Sequence, residues 1–282
     1  MEIANFIIIA LWAVILILLI VRIGVFRISP RQTKTGLDIG SCMTIGNREV
    51  QEDSYATEIT RAGSLAVLAD GMGKSYGGRI ASRIAVETFQ NLFADYNAFD
   101  NPIYFFRKAF NTANREILNT LDNGQNGSAS VGAAIINENR LYYAVVGNVK
   151  VCVYRAGELV PISVGHTLDQ LAEKGFQSGK ISREDAITLL ENHRLYNYVG
   201  QDEFQDVELY DAPIALQPGD VVALMSDGVF EPLSWKEIED ILSANKDCHT
   251  MAYEIIERIN RMQEADKDNA SLVLIRAAEG TA

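Results

Sequence analysis

The order of apolar and amphipathic segments in this 282-residue chain predicts an α+β fold, with two sheets sandwiched between pairs of helices. Two observations support this prediction. Strand-length apolar runs lie near both ends and in the middle of the domain, and two pairs of segments with helical periodicity separate them. Strands and helices grouped in this way are typical of α+β architecture, whereas strict alternation would indicate a parallel sheet.

The periodicity of apolar residues predicts four helices. The first pair is Gly78–Phe93 and Pro102–Thr120, whose phenylalanines we assign to the core rather than to a cofactor pocket. The second pair is Ser234–Ala244 and Thr250–Glu264. Strands are expected at Leu65–Ala69, Ser130–Asn137, Arg140–Val146, Lys150–Arg155, Val207–Tyr210, Asp220–Met225 and Ala270–Arg276.

The segment from His166 to Asp202 interrupts the series of strands. It is polar and irregular, with short helical stretches at Leu168–Lys174 and near Arg183–Asn192. Surface insertions of this kind are typical of a movable lobe over a functional site. We therefore expect residues 166–202 to form a flap within the domain.

Composition excludes some classes of function. Hydrophobic residues make up 48% of the chain and charged residues 22%, which is enough apolar surface for a sizeable core. The formal net charge of -12 argues against a nucleic-acid partner, because such proteins need a basic face. The three cysteines are odd in number and share no close spacing, which argues against a disulfide framework or a zinc site and favours a reducing compartment.

The N-terminal segment predicts a membrane anchor. Residues 6–26 are apolar except for Arg22, and a helix of this length would cross a hydrocarbon core of about 30 Å. Positive charges follow the run, while Glu2 precedes it, so the following domain is expected in the cytoplasm. The predicted organisation is a single-pass anchor in the cell membrane at 1–28, a linker at 29–36 and a catalytic domain at 37–278.

An Asp-Gly dipeptide follows each of two apolar runs, at Asp70 and at Asp227. The glycines after Asp70 are expected to end the first strand, which would leave this carboxylate at the edge of a sheet. Either dipeptide alone would be a common turn signal. Two carboxylates delivered at the same end of two buried strands favour a shared cation.

Further acids accompany this pair, at Glu52, Asp53 and Asp268, with no histidine or cysteine beside them. An all-oxygen set of ligands suits Mg²⁺ or Mn²⁺. Several carboxylates at one point cannot all stay ionised without cations. Two metal ions about 3.5–4 Å apart, bridged by a carboxylate and a water, are the common solution, and the bridging water can attack phosphorus as a hydroxide.

Short motifs follow one another along the chain in a set order: Arg48 with Glu52-Asp53-Ser54, Ala69-Asp70-Gly71-Met72-Gly73, Gly77-Gly78, Gly127-Ser128-Ala129, Gly147-Asn148, Ser226-Asp227-Gly228 and Asp268-Asn269. Together they resemble the metal-dependent serine/threonine phosphatases of the PP2C (PPM) type, in the bacterial form, over nearly the whole of 37–276. Each motif is weak alone, but their order and spacing are specific. The resemblance implies a central β-sandwich of two mainly antiparallel sheets flanked by pairs of helices.

The resemblance also implies roles for single residues. The implied catalytic residues are Arg48, which would grip the phosphate through its paired donors, and Asp53. The implied metal ligands are Glu52 through water, Asp53 as the bridge between both ions, Asp70, the carbonyl of Gly71, Asp227 and Asp268.

Two departures from the family pattern affect the expected chemistry. Asn148 stands where many members have an aspartate that serves an accessory third metal, and a neutral amide is a poorer ligand, so two ions are expected rather than three. Met72 stands where some members have a histidine that acts as general acid. The leaving-group proton must then come from water or from another residue.

The sequence therefore predicts a membrane-anchored phosphatase that hydrolyses phosphoserine and phosphothreonine in proteins, with two Mn²⁺ or Mg²⁺ ions and a metal-bridged hydroxide. The expected partners are phosphoproteins, including a membrane-associated Ser/Thr kinase or its substrates. Three alternatives stay open. One is a catalytically weak pseudophosphatase that acts as a membrane-bound binding module, supported by Asn148 alone. The others are a two-metal hydrolase of small phosphoesters or nucleotides, and a purely structural anchor.

Overall fold

The computed structural model describes residues 37–95, 97–121, 126–190, 194–202, 204, 206–244 and 246–277. Strands and helices are numbered here in chain order. The strands are β1 Asp38–Thr44, β2 Ser54–Ile59, β3 Ser64–Gly73, β4 Gly127–Asn137, β5 Arg140–Val146, β6 Lys150–Arg155, β7 Glu158–Pro161, β8 Glu208–Leu209, β9 Ile214–Ala215, β10 Val221–Met225 and β11 Ala270–Arg276. The helices are α1 Gly77–Asp95, α2 Pro102–Thr120, α3 Leu168–Gln177, α4 Arg183–Leu190, α5 Asp227–Phe230, α6 Trp235–Leu242 and α7 Cys248–Asn260.

Two antiparallel sheets form the centre of the domain. Sheet I has the strand order β1-β11-β10-β6-β7, and sheet II has the order β2-β3-β4-β5-β8, with β9 also paired to β5. The register of sheet I pairs Met225 with Leu272, so the end of β10 lies beside the start of β11. The register of sheet II pairs Ser54 with Ala69, so the start of β2 lies beside the second half of β3. These two registers decide which loop residues become neighbours.

Three apolar layers hold the sheets and helices together. Strand β3 shows the principle, because its alternate side chains point to opposite faces of the sheet. Leu65 and Val67 pack in the layer shared with α1 and α2, whereas Ala66 and Leu68 pack in the layer between the two sheets. The outer face of sheet I packs against α6 and α7. The predicted α+β fold, with flanking pairs of helices, is confirmed.

The helices on sheet II are joined by aromatic contacts. Phe89 of α1 lies edge-on to Phe110 of α2, with ring centroids 5.0 Å apart. Such pairs contribute about 0.5–1.5 kcal/mol beyond the area that they bury. The phenylalanines predicted for the core are therefore structural, and α2 has the predicted bounds.

Local signals explain where the helices begin. Asn101 accepts a hydrogen bond from the backbone N–H of Tyr104, and a proline occupies the first turn of α2. Ser234 and Glu237 form a reciprocal capping box at α6. Asp247 accepts from Thr250 N–H, and α7 therefore begins at Cys248, earlier than predicted.

Several predicted boundaries are wrong. Strand β3 does not end before Asp70 but continues through Gly73, since Asp70 to Gly73 stay paired with β4. Asp70 therefore lies within a strand and not at the edge of the sheet. Helix α7 ends at Asn260 rather than at residue 264. Strands β1 and β2 were not predicted, because their half-buried, partly polar residues give no continuous apolar run.

The membrane prediction needs correction. Its apolar segment, residues 6–26, and the linker at 29–36 lie outside the described residues. Within the part of the chain that the structure describes, no helix is long and apolar enough to cross a membrane. The longest helices there, α1 and α2, have 19 residues each and alternate buried with charged positions. The predicted location in the cell membrane is therefore contradicted.

Candidate metal and phosphate site

Carboxylates from both sheets come together at one site. Asp53 directly precedes β2 and Asp70 lies in β3, next to each other through the register of sheet II. Asp227 is the first residue of α5 after β10, and Asp268 directly precedes β11. Because β10 and β11 are antiparallel neighbours, these two are also adjacent. Each of the four interacts electrostatically with others of the set.

Asp53 is the most completely enclosed acid of the site, with 4% of its surface exposed. Its Oδ2 accepts a hydrogen bond from Ser226 Oγ at 3.0 Å. Its Oδ1 is buried with no partner at hydrogen-bond distance among the described residues, and the buried Ser271 hydroxyl, which also has none, is close enough to lower the pKa of the carboxyl. Burial raises the pKa of Asp53 to about 6, and the charges of Asp227 and Asp268 act in the same direction. A buried carboxylate oxygen with no donor is costly unless a cation contacts it.

Asp70 has an even less favourable position for a charge. Burial raises its pKa well above the usual value, and Asp227 and Asp53 raise it further. Its carboxyl lies close enough to that of Asp227 for each ionised group to disfavour the other, and a cation between them would relieve this repulsion. The sequence predicts Asp70 and Asp227 at one place, but it does not predict the burial of Asp70, which it places at the edge of a sheet.

Arg48 forms a paired interaction with Asp268. The Arg48 Nε and Nη2 groups donate to Asp268 Oδ1 and Oδ2, each at 3.0 Å, and Asp266 lies 3.6 Å from the same guanidinium. The hydrogen bond to Asp268 is also the main reason why the pKa of Arg48 is raised. About half of each side chain is exposed, so the pair contributes at most about 1 kcal/mol. Arg48 and Asp268, both predicted for the site, are thus neighbours, and the charged group of each is paired with that of the other.

Glu52 lies at the N-terminus of α1. Burial and the charge of Asp268 raise the pKa of its carboxyl, while the nearby backbone N–H groups of Arg79 and Gly78 act in the opposite direction. Its own backbone N–H donates to Asn269 Oδ1 at 2.7 Å. Asn269 therefore connects the loop before β2 to the start of β11. The sequence motif contained this asparagine but did not reveal its positioning role.

Two glycines allow the backbones of the site to approach closely. A Cβ atom on Gly71 would lie 2.2 Å from the carbonyl oxygen of Gly78 and 2.5 Å from that of Glu52. A Cβ atom on Gly228 would lie 2.0 Å from the carbonyl oxygen of Asn269. No side chain fits at such distances, so the Asp-Gly dipeptides are required by packing as well as by any ligand.

Asn148 contacts the acidic set directly. Its Nδ2 donates to Asp227 Oδ2 at 3.1 Å, and its backbone N–H donates to Ser130 Oγ. The amide of Asn148 therefore presents its donor, and not its oxygen, to the carboxylate of Asp227. An aspartate at this position would instead add another negative charge beside Asp227.

The residues are gathered, but they are not arranged as a closed ligand set. Among the described residues, no group of three or more histidine, cysteine, aspartate or glutamate side chains could hold a metal ion as placed. The contacts explain this, since Asp268 is turned to Arg48 and Glu52 to the helix N-terminus. The chemistry of the set nevertheless fits hard cations. All its ligand atoms are oxygens, and Asp53 Oδ1 has no hydrogen-bond donor among the described residues. Burial, with the charges of the neighbouring acids, raises the pKa values of Asp53 and Asp70.

Among the described residues, no histidine or cysteine belongs to a group that could hold a metal ion as placed. His166 Nδ1 accepts from the backbone N–H of Gly147, and burial lowers the pKa of its imidazole. The cysteines Cys42, Cys152 and Cys248 are free thiols. His193 lies outside the described residues.

Comparison with known proteins identifies the family. The family model described as Protein phosphatase 2C matches residues 43–272. The chain belongs to this family. The serine/threonine phosphatase stp of Listeria welshimeri is 25% identical over 218 residues, which cover 75% of this chain and 83% of that protein.

Solved structures have the same fold. The serine/threonine phosphatase of S. agalactiae superposes with a TM-score of 0.75 at 23% identity, covering 86% of this chain and 99% of that one. The catalytic domain of PstP in complex with two manganese ions gives a TM-score of 0.69 at 23% identity, covering 86% and 99%. The protein is thus a PP2C-type serine/threonine protein phosphatase, of a family that depends on divalent metals.

Proposed function

We propose that this phosphatase hydrolyses phosphoserine and phosphothreonine in proteins with two divalent ions, Mn²⁺ or Mg²⁺, bound among the acids described above. The observation that carries the proposal is the set of carboxylates from both sheets, with the unpartnered Oδ1 of Asp53 at its buried centre. Its substrates would be proteins modified by a Ser/Thr kinase. The metal is proposed as Mn²⁺ or Mg²⁺ because every donor is oxygen.

In the proposed ligand set, Asp53 would be shared by the two ions, because it interacts with Asp70 of sheet II and also with Asp227 and Asp268 beside sheet I. The other proposed ligands are Glu52 through water, Asp70, the carbonyl of Gly71, Asp227 and Asp268. When bound, the ions would lower the pKa of water and neutralise charge on the phosphate. Asn148 supports two ions rather than three, because its amide already donates to Asp227.

Arg48 is proposed to bind and orient the phosphate. A guanidinium can hold two phosphate oxygens at once, in the same paired geometry that Arg48 now uses on Asp268. The exchange from one anion to the other is inexpensive, because the present pair is half exposed to water. Met72, next to the Asp-Gly dipeptide, has no titrating group, so we propose water as the source of the leaving-group proton.

The alternative of a catalytically weak binding module is not favoured. It rested on Asn148 alone, and that residue interacts with Asp227 without removing any of the predicted ligands. A hydrolase of free nucleotides is tested by the same experiment as the main proposal.

The test is phosphate release by the full-length protein from phosphoserine and phosphothreonine peptides, over a titration of Mn²⁺ and with EDTA. Asp53→Asn and Asp227→Asn should each reduce release by about a hundredfold or more, since a lost electrostatic contact to a transition state costs this much. Asp211→Asn, an exposed loop aspartate, is the matched control. Equal release with EDTA, or faster hydrolysis of free nucleotides than of either peptide, would contradict the proposal.

A further inference from the structure

A groove runs along helix α1 from the candidate site. Its first part has a volume of about 440 Å³ and is lined by Asp53, Ser54, Tyr76, Arg79 and Arg83, among others. A second part, of about 290 Å³, shares Asp53, Ser54 and Arg83 with the first. Because the two parts share these residues, they form one continuous depression, and both parts reach Asp53.

The wall that α1 contributes to this groove carries two arginines. Arg79 and Arg83 are four residues apart in the helix, so their side chains lie on the same face. Both are exposed. Arg79 forms no salt bridge with any of the described residues, whereas Arg83 contacts Glu87 at 3.2 Å in a pair that is mostly open to water.

Among the described residues, neither arginine forms a strong interaction that would account for its place in the groove. Arg83 and Glu87 are both about 60% exposed, and such i,i+4 pairs stabilise a helix only weakly. Glu49 lines the first part of the groove and Glu87 the second, so Arg79 is the arginine there that has no salt bridge among the described residues, and Arg83 has only its weak pair with Glu87. They are positioned to hold an anion that the protein itself does not supply.

Two residues just before α1 have a strained backbone conformation beside the groove. Tyr76 has φ +70 and Ser75 has φ +52, in the left-handed region that such residues rarely adopt. Tyr76 is 58% exposed and its ring lines the groove instead of packing in the core. Strained residues held at a cleft are typical of binding sites.

We propose that this groove binds the part of the phosphoprotein that flanks the phosphorylated residue, and that Arg79 and Arg83 select substrates with a second anionic group there. The anion would be an aspartate or glutamate carboxylate, or a second phosphate. The inference rests on the proposed function, since it needs the reacting phosphate at Asp53, where the groove begins.

The spacing of the arginines predicts the spacing of the anions. Cβ atoms four residues apart in a helix are separated by about 6 Å. Side chains two residues apart on one face of an extended peptide are separated by about 7 Å. A substrate that crosses the groove in extended form would therefore place alternate acidic residues opposite Arg79 and Arg83.

The experiment uses the full-length protein with Mn²⁺ and phosphoserine peptides that differ only in their flanks. One peptide has alanine flanks, a second has alternate aspartates, a third has lysines, and a fourth has a second phosphoserine. The quantity compared is the ratio of kcat/KM between each peptide and the alanine peptide. A further series of peptides carries a single aspartate at successive positions. Their kcat/KM values show on which side of the phosphoserine an acidic residue is preferred.

We expect the alternate-aspartate peptide to exceed the alanine peptide by about tenfold at low salt, and Arg79→Gln and Arg83→Gln each to reduce that ratio about threefold. Arg79→Glu should reverse the preference toward lysine. Glu87→Gln should increase the preference, because it frees Arg83. High salt should abolish the preference, since at about 1 M the screening length is about 3 Å.

Arg115→Gln is the matched control, because Arg115 is also exposed on a helix but lines neither part of the groove. The inference is overturned if the aspartate and alanine peptides are hydrolysed equally, or if Arg79→Gln and Arg83→Gln change the ratio no more than Arg115→Gln does. A preference for the second phosphate over the aspartates would assign the groove to doubly phosphorylated substrates.

A second measurement separates this inference from the proposed function. Binding of the same labelled peptides is followed by fluorescence anisotropy with EDTA present, when no turnover occurs. If no peptide is hydrolysed under any condition, the proposed function fails, and the binding data alone decide on the groove. Tighter binding of the aspartate peptide, lost in Arg79→Gln, would support the groove, and equal binding of all peptides would overturn it.

Discussion

Replacing Asp53 by asparagine should stabilise the metal-free protein at neutral pH while removing its response to metal. The pKa of Asp53 is raised from 3.8 to about 6 in the folded state, mainly by burial. One pKa unit corresponds to about 1.4 kcal/mol, so ionised Asp53 reduces the free energy of unfolding by about 3 kcal/mol at neutral pH. Asparagine has no such charge and keeps an oxygen for the hydrogen bond from Ser226.

The sign of the pH dependence follows from the same shift. Between pH 3.8 and about 6, the folded state holds a proton on Asp53 that the unfolded state has lost, so this contribution to stability falls as pH rises. Asp53→Asn and the wild type should therefore be about equally stable near pH 3.8. The difference between them should grow to about 3 kcal/mol by neutral pH.

The assay is urea unfolding of both proteins with EDTA, at a series of pH values from acidic to neutral. Asp211→Asn, at an exposed loop position, controls for the general effect of removing one negative charge. With saturating Mn²⁺ the order of stability should reverse, because only the wild type gains binding free energy. The reasoning is refuted if Asp53→Asn is less stable than the wild type with EDTA at neutral pH, or if their difference does not change with pH.

Three further predictions concern the buried residues Asp220 and His166 and the contact of Asn148 with Asp227. Asp220 is buried and accepts from Arg155 at 2.6 Å, so Asp220→Asn should reduce the free energy of unfolding by about 3 kcal/mol, measured with urea. Asn148→Asp should lower the metal-free Tm and enlarge the rise in Tm with Mn²⁺, since it replaces a donor to Asp227 by a like charge; an unchanged rise would contradict this. Burial lowers the pKa of His166 from 6.5, so its contribution to stability is lost as pH falls, and NMR titration of the imidazole should give a value below 6.5.

The sequence predicts best where one periodicity runs through a long element. Pro102–Thr120 has the predicted bounds because its apolar residues recur at helical spacing and a proline and an asparagine mark its start. Strands β5, β6 and β11 are also as predicted, since each is a short apolar run between turn residues. In these cases local chemistry and tertiary packing require the same structure.

Prediction failed where pairing with a neighbouring strand overrides the local signal. The glycines after Asp70 indicated the end of a strand, but their backbones continue the ladder with β4 and are pressed against Glu52 and Gly78. Strand β2 was missed because its residues are half buried and mixed in polarity. Its existence depends on β3, which the sequence around β2 does not reveal.

In the candidate site, too, some features could be predicted from the sequence and others depend on tertiary contacts. The motifs and their resemblance to a family pointed to Asp53, Asp227 and Asp268. The register of sheet I brings Asp227 near Asp268, and the contact of Ser226 with Asp53 brings the acids of the two sheets together. Which side chain pairs with which could not be predicted. The contacts of Arg48 with Asp268 and of Asn148 with Asp227 depend on side-chain geometry, since sequence distance alone says nothing of it.

The pairing of Arg48 with Asp268 connects the proposed phosphate-binding residue with a proposed metal ligand. A metal ion at Asp268 would compete with the guanidinium for the same two oxygens, so metal binding would release Arg48 for a phosphate. The pair is half exposed and weak, whereas Asp53 and Asp70 are held in positions that raise their pKa values. The free energy stored in the metal-free site therefore lies in the buried carboxylates, and those residues, rather than Arg48, should determine how strongly a metal stabilises the fold.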